Sequence, residues 1–378
     1  DEILSAIAAK NAGKGKKVIV TGCLAQRYAD TLKKEFPEVD AILGIADYDA
    51  ILKTIKDVED GEKVLNCANL DAFYSDRVLT TPYHYAYLKI ADGCSNHCTY
   101  CAIPSIRGKY RSEKLEDLIC EAKKLSDDGV KELILVAQDV TRYGTDFDGK
   151  PHLIELLDRL SKLDFAWIRL LYLYPEMVDD ALIEYVKNND KIAKYMDIPL
   201  QHVDDDVLKR MNRRTDEKSI RELIAKLKNA GIAVRTTFIC GFPGETQEQF
   251  EKLEKFVKEV KFDYAGFFAY SREEGTPADK LDGHLDESVK EERADKLRAI
   301  QEKIIKSRNK ELIGSKIKVI YDDIDYDRQK FVGRSQTQAP DIDNVTLFES
   351  DEEVRIGEFY DVEITGSDGI DLVGKVIK

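Results

Sequence analysis

Three cysteines stand within eight residues, Cys94, Cys98 and Cys101, in the segment ADGCSNHCTYCAIPSIRG (91–108). Their spacing is C-x3-C-x2-C. Three thiolates on one short loop can hold three irons of a cubane cluster and leave the fourth open to a substrate. A closed zinc site is one alternative, but it takes four ligands. Only His84 and His97 stand nearby, and neither has a usual zinc spacing. A redox C-x-x-C pair, Cys98 with Cys101, is a second alternative; the third thiol argues against it. Seven cysteines occur in all, an odd count and too clustered for a disulfide framework. Cys120, among Leu115, Leu118, Ala122 and Leu125, reads as core or helix-flank packing, and Cys240 as core. Cys23 follows a strand-like run at the start of a helix, and Cys67 falls in a polar stretch.

Other segments have the makings of a ligand site. GFPGE (241–245) ends a strand and opens a helix, where Gly241 and Gly244 allow close backbone approach and helix N–H groups attract a carboxylate. A tight strand-to-helix turn would need the same glycines. Gln138 and Asp139 end a second strand, and Gln201 and His202 a fourth. His202 is as consistent with a structural role as with a functional one. Arg107, Lys109, Tyr110 and Arg111 form a basic-aromatic patch beside the cysteine loop, which a solvated turn would also explain.

The elements that must position these residues fall into three parts. Residues 1–75 alternate helix and strand: a helical pattern at Ile3, Leu4, Ile7 and Ala8, strands at 16–20 and 41–43, and helices at 24–36 (ended by Pro37) and 47–58. Residues 59–82 read as a turn-rich linker with Gly61, Asn66, Asn69 and Pro82. Within 83–311, strand-like runs at 85–91, 132–137, 167–173, 196–200, 234–240 and 264–270 alternate with helical patterns near 113–127, 152–163, 178–188, 204–211, 217–229 and 246–260. Thr246 and Gln249 form a capping box, and Phe250, Leu253, Val257 and Val260 one apolar stripe. Six such units predict an α/β fold, a parallel sheet curved into a partial (β/α)6 barrel with its chemistry at the C-terminal strand ends. A long helix at 286–311 turns Val289, Leu297, Ile300 and Ile304 inward. Residues 315–378 alternate as strands and predict a small all-β barrel of about five strands.

The chain carries 58 Lys+Arg against 72 Asp+Glu, a net charge of −14, which opposes a general nucleic-acid face. Apolar residues at 43% with charged ones at 34% suit a soluble globular chain. No apolar run approaches a membrane span, and no secretory signal opens the chain. Its first residue is Asp, and the opening helical pattern has no cap, so the chain reads as a fragment with its true N-terminus upstream.

The cysteine loop after the first barrel strand resembles the radical S-adenosylmethionine superfamily. TGCLAQRY (21–28), CSNHCTYCAIPSIRGKYRS (94–112), AQDVTRYG (137–144), LYLYP (171–175), MDIPLQH (196–202), MNRR (211–214), RTTFICGFPGET (235–246), YSREEGTPA (270–278) and VGRSQTQAP (332–340) resemble its methylthiotransferases along essentially the whole chain. Within these the chain is most similar to the family that modifies an aspartate of the twelfth small-subunit ribosomal protein. The resemblance implies a [4Fe–4S] cluster on Cys94, Cys98 and Cys101, whose open iron chelates S-adenosylmethionine. It implies that Tyr100 lies against the adenine, that Gly241 and Gly244 line the cofactor pocket, and that Gln201 faces the same mouth. The superfamily often has Gly-Gly-Glu where this chain has Ala137–Asp139, which leaves open whether Gln138 or Asp139 meets the methionine amino group. It implies a second, auxiliary [4Fe–4S] cluster that takes Cys23, with its other ligands upstream of Asp1. The family reading is a cytoplasmic, monomeric enzyme: a 5′-deoxyadenosyl radical removes hydrogen from the aspartate β-carbon, the auxiliary cluster donates sulfur, and a flavodoxin or ferredoxin supplies electrons. The rival reading is a tRNA adenosine methylthiotransferase. Residues 315–378 resemble a TRAM domain, and such domains commonly bind RNA. Here that unit has eight Lys+Arg against fifteen Asp+Glu. That balance opposes phosphate contacts and suits a basic protein substrate.

Overall fold

A computed structural model of the chain describes residues 1–67 and 78–377. Asn69 of the expected linker lies outside them. The chain divides into two compact units, one of Asp1–Val78, Gly93–Ser95 and Ala102–Lys109, the other of Leu79–Asp92, Asn96–Cys101 and Tyr110–Lys378.

The first unit runs α1 (Glu2–Asn11), β1 (Ile19–Thr21), α2 (Cys23–Glu35), β2 (Ala41–Leu43), α3 (Ile51–Glu59) and β3 (Val64–Asn66). The strands form one parallel sheet in the order β1-β2-β3 over a core of Ile7, Val20, Ala25, Leu32 and Ile42. α2 ends before Pro37, whose ring cannot continue a helix. Part of the expected linker is therefore a strand: Val64–Asn66 pairs with Ala41–Leu43. Three residues with an exposed Leu65 are too short to show an alternation in sequence.

In the second unit six strands alternate with helices, as the periodicity predicts: β4 (Tyr85–Lys89), α4 (Leu115–Asp127), β5 (Glu132–Val136), α5 (Leu153–Leu160), β6 (Trp167–Leu170), α6 (Asp180–Asn188), β7 (Ile192–Asp197), α7 (Asp205–Arg210), α8 (Glu217–Asn229), β8 (Ala233–Cys240), α9 (Gln247–Val260) and β9 (Tyr264–Ala269). They lie parallel in chain order, β4 to β9, and the sheet does not close on itself. One apolar cluster packs strand residues such as Leu88, Leu133, Ile168 and Phe238 against helix residues such as Leu118, Leu156, Ile183 and Leu253. A smaller one gathers Tyr85, Ile134, Leu171, Ala193, Tyr195, Ala233 and Tyr264 with Ala339.

Two strands differ most from expectation. β7 begins at Ile192, four residues early, because Lys194 interrupts the apolar run; its ammonium reaches out to the Val186 carbonyl at 2.5 Å and the Asn189 carbonyl at 2.7 Å. β6 ends at Leu170 because Tyr172 adopts φ +62°, which no strand tolerates. The capping box of α9 forms as expected, with Phe250, Leu253 and Val257 buried and Val260 half-buried.

The long helix α10 (Glu287–Glu311) buries Leu297, while Val289, Ile300 and Ile304 are only half-buried. Its inward face is instead largely polar: Lys290 donates to the Tyr270 carbonyl at 2.9 Å and Gln301 to the Phe262 carbonyl at 2.9 Å. Five further strands, β10 (Lys316–Asp325), β11 (Lys330–Ser335), β12 (Thr346–Glu349), β13 (Phe359–Asp368) and β14 (Asp371–Val376), close into a barrel in the order β10-β11-β12-β14-β13. This barrel joins the parallel sheet through buried charge. Arg334 donates to Glu132 at 2.7 Å and to Asp322 at 2.7 Å, and Arg169 donates to Glu132 at 2.6 Å. No described helix is long and apolar enough to cross a membrane.

Candidate functional site

Cys94 belongs to the first unit and is almost fully buried; its N–H donates to the Gly108 carbonyl at 3.2 Å. Gly93 before it has φ +74°, and a Cβ there would meet the Lys109 carbonyl oxygen at 2.2 Å, so the turn that presents Cys94 admits only glycine. In the same unit Cys23 opens α2 and is exposed, with an Arg107 nitrogen 3.6 Å from its sulfur. Cys67 is half-buried at the end of β3, and burial pushes its thiol up.

Cys98 and Cys101 belong to the second unit, where Cys98 is buried and Cys101 half-buried. The intervening loop is held from several elements. Thr99 donates its N–H to Met211 at 3.1 Å and its hydroxyl to Arg210 at 2.8 Å; its carbonyl accepts from Ala278 at 2.8 Å. Asn212 donates to the carbonyl of His97, itself in the left-handed region, at 2.8 Å. The Cys98 sulfur lies 2.6 Å from the Tyr174 hydroxyl and 3.9 Å from an Arg213 nitrogen. Tyr100 packs with Val207, Met211, Phe242, Tyr270 and Ala278, edge-on to Phe242 at 6.5 Å. The structure thus brings Tyr100 to the GFPGE turn. Burial pushes the Tyr100 phenol well above its usual range, and Cys98 adds to that.

Asp139 is fully buried and its carboxylate is spent inside the protein. It accepts from Asn96 at 2.9 Å, from Arg142 at 3.1 Å and from the Thr141 hydroxyl. Burial raises its pKa above the ordinary carboxylate value. Gln138 differs: its Oε1 is buried with no hydrogen-bond partner. Gln201 sits past the end of β7 at φ +71°, its N–H donating to Thr237 and its carbonyl accepting from Ile239. His202 beside it is fully buried, and its Nδ1 accepts from the Asp204 N–H at 3.0 Å. Burial drives its pKa down to about 3, so it is a neutral structural residue near neutral pH.

The GFPGE turn's amides are taken up within the protein. Glu245 Oε2 accepts from Gly241 at 2.9 Å and from Phe242 at 3.3 Å, and Gly244 donates to Gly283 at 2.7 Å. Gly241 and Gly244 have φ +74° and +75°; a Cβ would strike Lys290 or Arg210 at 2.3 Å. These glycines are required by the turn's own packing. Arg293 of α10 donates to Glu245 Oε1 at 2.6 Å.

Of the residues raised as alternatives, His84 is committed elsewhere, 2.7 Å from Asp322 of the terminal barrel, and His97 is exposed. Neither leaves zinc a better case. Cys240 is buried as expected and pushed up to about 12 by burial, whereas Cys120 is exposed on the flank of α4 rather than in the core. Among the described residues no three His, Cys, Asp or Glu side chains stand gathered as a metal site. The fit of the loop to a cluster lies in its soft donor set, three thiols joined by a short loop, with a cation and a phenol converging on one of them. Sequence reasoning missed Asn96, Tyr174, Arg213 and Glu245 as site residues. All four lie in segments quoted above, and only the fold shows what they touch.

Residues 88–257 match the Radical SAM superfamily, and residues 313–377 match the TRAM domain. In fold the chain is similar to a radical S-adenosylmethionine methyltransferase, TsrM, from Kitasatospora setae. That structure superposes with a TM-score of 0.55 at 12% identity, over 70% of this chain and 57% of its own. The ribosomal protein uS12 methylthiotransferase RimO of Clostridium botulinum (strain Eklund 17B / Type B) is 48% identical across 100% of this chain and 85% of its own length. That of Clostridioides difficile (strain 630) is 45% identical across 100% of this chain and 86% of its own. The chain belongs to the ribosomal protein uS12 methylthiotransferase family.

Proposed function

We propose that this chain attaches a methylthio group to the β-carbon of an aspartate in ribosomal protein uS12, by radical S-adenosylmethionine chemistry. The observation that carries the reading is the Cys94, Cys98 and Cys101 loop after the first strand of a six-stranded parallel sheet, in a chain similar to its family over its whole length. Those three cysteines would hold one [4Fe–4S] cluster, and Cys23 would contribute to an auxiliary one. When bound, the clusters and S-adenosylmethionine supply the one-electron and sulfur-transfer chemistry that no side chain can.

The chain's own residues bind, orient and seal. Gln138 offers its unpartnered Oε1 as an acceptor for an ammonium, the methionine amino group in this reading; Asp139 cannot, since its oxygens are engaged. Tyr100, edge-on to Phe242, gives an aromatic wall for the adenine. Gly241 and Gly244 shape that wall by letting the turn close against Lys290 and Arg210. Gln201 is held by its backbone to Thr237 and Ile239, its strained φ fixing the direction of its side chain. His202 moves no proton, because its pKa of about 3 keeps it neutral.

The substrate is a basic protein and not RNA: the terminal barrel, net −7, repels phosphate and attracts cationic surface. The enzyme works as a cytoplasmic monomer and takes electrons from a flavodoxin or ferredoxin. Anaerobically reconstituted protein with both clusters loaded, given S-adenosylmethionine, reductant, sulfide and either uS12 or tRNA, tests the reading. Mass spectrometry should find one methylthio group on a uS12 aspartate. Modified tRNA adenosine, with uS12 untouched, would overturn it.

A further inference from the structure

The surroundings of Cys98 hold more than a ligand needs. Its sulfur, the Tyr174 ring and the Arg213 guanidinium form a buried stack, with Cys98 7%, Tyr174 8% and Arg213 6% exposed. The Tyr174 hydroxyl is 2.6 Å from the sulfur, and an Arg213 nitrogen is 3.9 Å from it. The guanidinium carbon stands 4.0 Å from the centre of the Tyr174 ring. Arg213 is fixed on its far side, where it donates to the Pro199 carbonyl at 2.8 Å, and its Nε is buried without a partner.

This arrangement is costly for a neutral thiol. A guanidinium taken out of water calls for a counter-charge. The groups it touches are a carbonyl, a ring face and the Cys98 sulfur; the Glu176 carboxylate also acts on it, and of the groups in contact only the sulfur can add a full negative charge. The Tyr174 hydroxyl has the same logic, since it donates best to an anionic sulfur.

We propose that Arg213 and Tyr174 are positioning residues that raise the reduction potential of the cluster bound through Cys98; this rests on the cluster reading given above. Reduction adds one electron, from an external donor, to an already anionic centre. A fixed positive charge and a hydrogen bond to a ligating sulfur stabilise the reduced form more than the oxidised one. Arg213 supplies the charge, and Tyr174 both supplies the hydrogen bond and holds the guanidinium through its ring face.

The test is a redox titration of the anaerobically reconstituted full chain, with dithionite as reductant. Electron paramagnetic resonance follows the signal component that changes when S-adenosylmethionine is added. Arg213→Gln should move the midpoint to more negative potential, with the reduced-to-oxidised ratio at a fixed poise falling about tenfold, or about 59 mV for one electron. Tyr174→Phe should shift it in the same direction by less. Arg213→Lys, which keeps the charge, should stay near the wild type. An unchanged midpoint in Arg213→Gln at full iron and sulfide content overturns the proposal. So does an Arg213→Lys shift as large as that of Arg213→Gln, which would make packing the cause. If Arg213→Gln fails to assemble a cluster, Tyr174→Phe decides by the same criterion. A wild-type chain with no S-adenosylmethionine-sensitive signal would instead overturn the cluster reading itself.

Discussion

Gln138 and Asp139 are chain neighbours with opposite commitments, and the difference is testable. Replacing Gln138 by Leu removes an acceptor that no protein group uses. S-adenosylmethionine binding should weaken about tenfold, the value of one net hydrogen bond, with thermal stability unchanged; equilibrium dialysis and a melting curve read the two effects. Asp139→Ala should do the reverse in kind, since it leaves Asn96 and Arg142 without their acceptor and unfolds the chain at lower denaturant. His202 adds a pH signature. Its folded pKa of about 3 lies below its unfolded value of 6.5, so its stabilisation is present above about pH 6.5 and is lost as pH falls toward 3. Urea titrations should show about 2 kcal/mol lost between pH 7 and pH 5 in the wild type beyond that in His202→Gln. The thiols were legible in sequence because spacing alone specifies them. The roles of Gln138, Asp139 and His202 were not, because burial depends on what the fold brings alongside, such as Asn96, 43 residues before Asp139.

The strand-to-helix turn 241–245 shows how far periodicity reaches among the elements. A strand, glycines and a capped helix were all readable around it, and β8, α9 and the capping box appear where expected. The use of the turn's amides was not readable. Glu245 takes them both, and it is held in turn by Arg293 from a helix some fifty residues on, at a separation of 48. Glu245→Ala should therefore cost about 3–5 kcal/mol, because it leaves a buried guanidinium unpaired. The double variant Glu245→Ala/Arg293→Met should recover much of that loss, a coupling that denaturant curves of the four proteins would measure. Additive losses would mean that the pair does not act as a unit. β3 and the start of β7 escaped notice for a related reason: a three-residue edge strand and a strand crossed by Lys194 carry no alternation of their own.

Sequence composition suggests a core and an appended acidic barrel, yet the two meet through groups that neither can leave bare. Glu132 of β5 is fully buried; its carboxyl is held below the ordinary value because Arg169 and Arg334 outweigh the cost of burial. Arg334 belongs to the terminal barrel and bonds Glu132 on one side and Asp322 on the other. Ala339, from the same region, joins the inner-face cluster of the parallel sheet. The barrel is thus built into the fold that carries the cysteine loop, which explains why a unit with a domain-like sequence sits within the second compact unit. The chain's single tryptophan reports on this junction: Trp167 of β6 packs edge-on to Phe359 of β13 at 4.8 Å. Arg334→Gln would leave Glu132 with Arg169 as its remaining cation and take the guanidinium from Asp322, and should cost about 3 kcal/mol. Unfolding of the wild type should then be one transition for the sheet and barrel together, seen at the same urea concentration by Trp167 fluorescence and by circular dichroism. Arg334→Gln should shift both signals equally. Trp167 fluorescence changing well before the circular dichroism would show that the barrel detaches first, and the junction would then be a contact rather than a shared core.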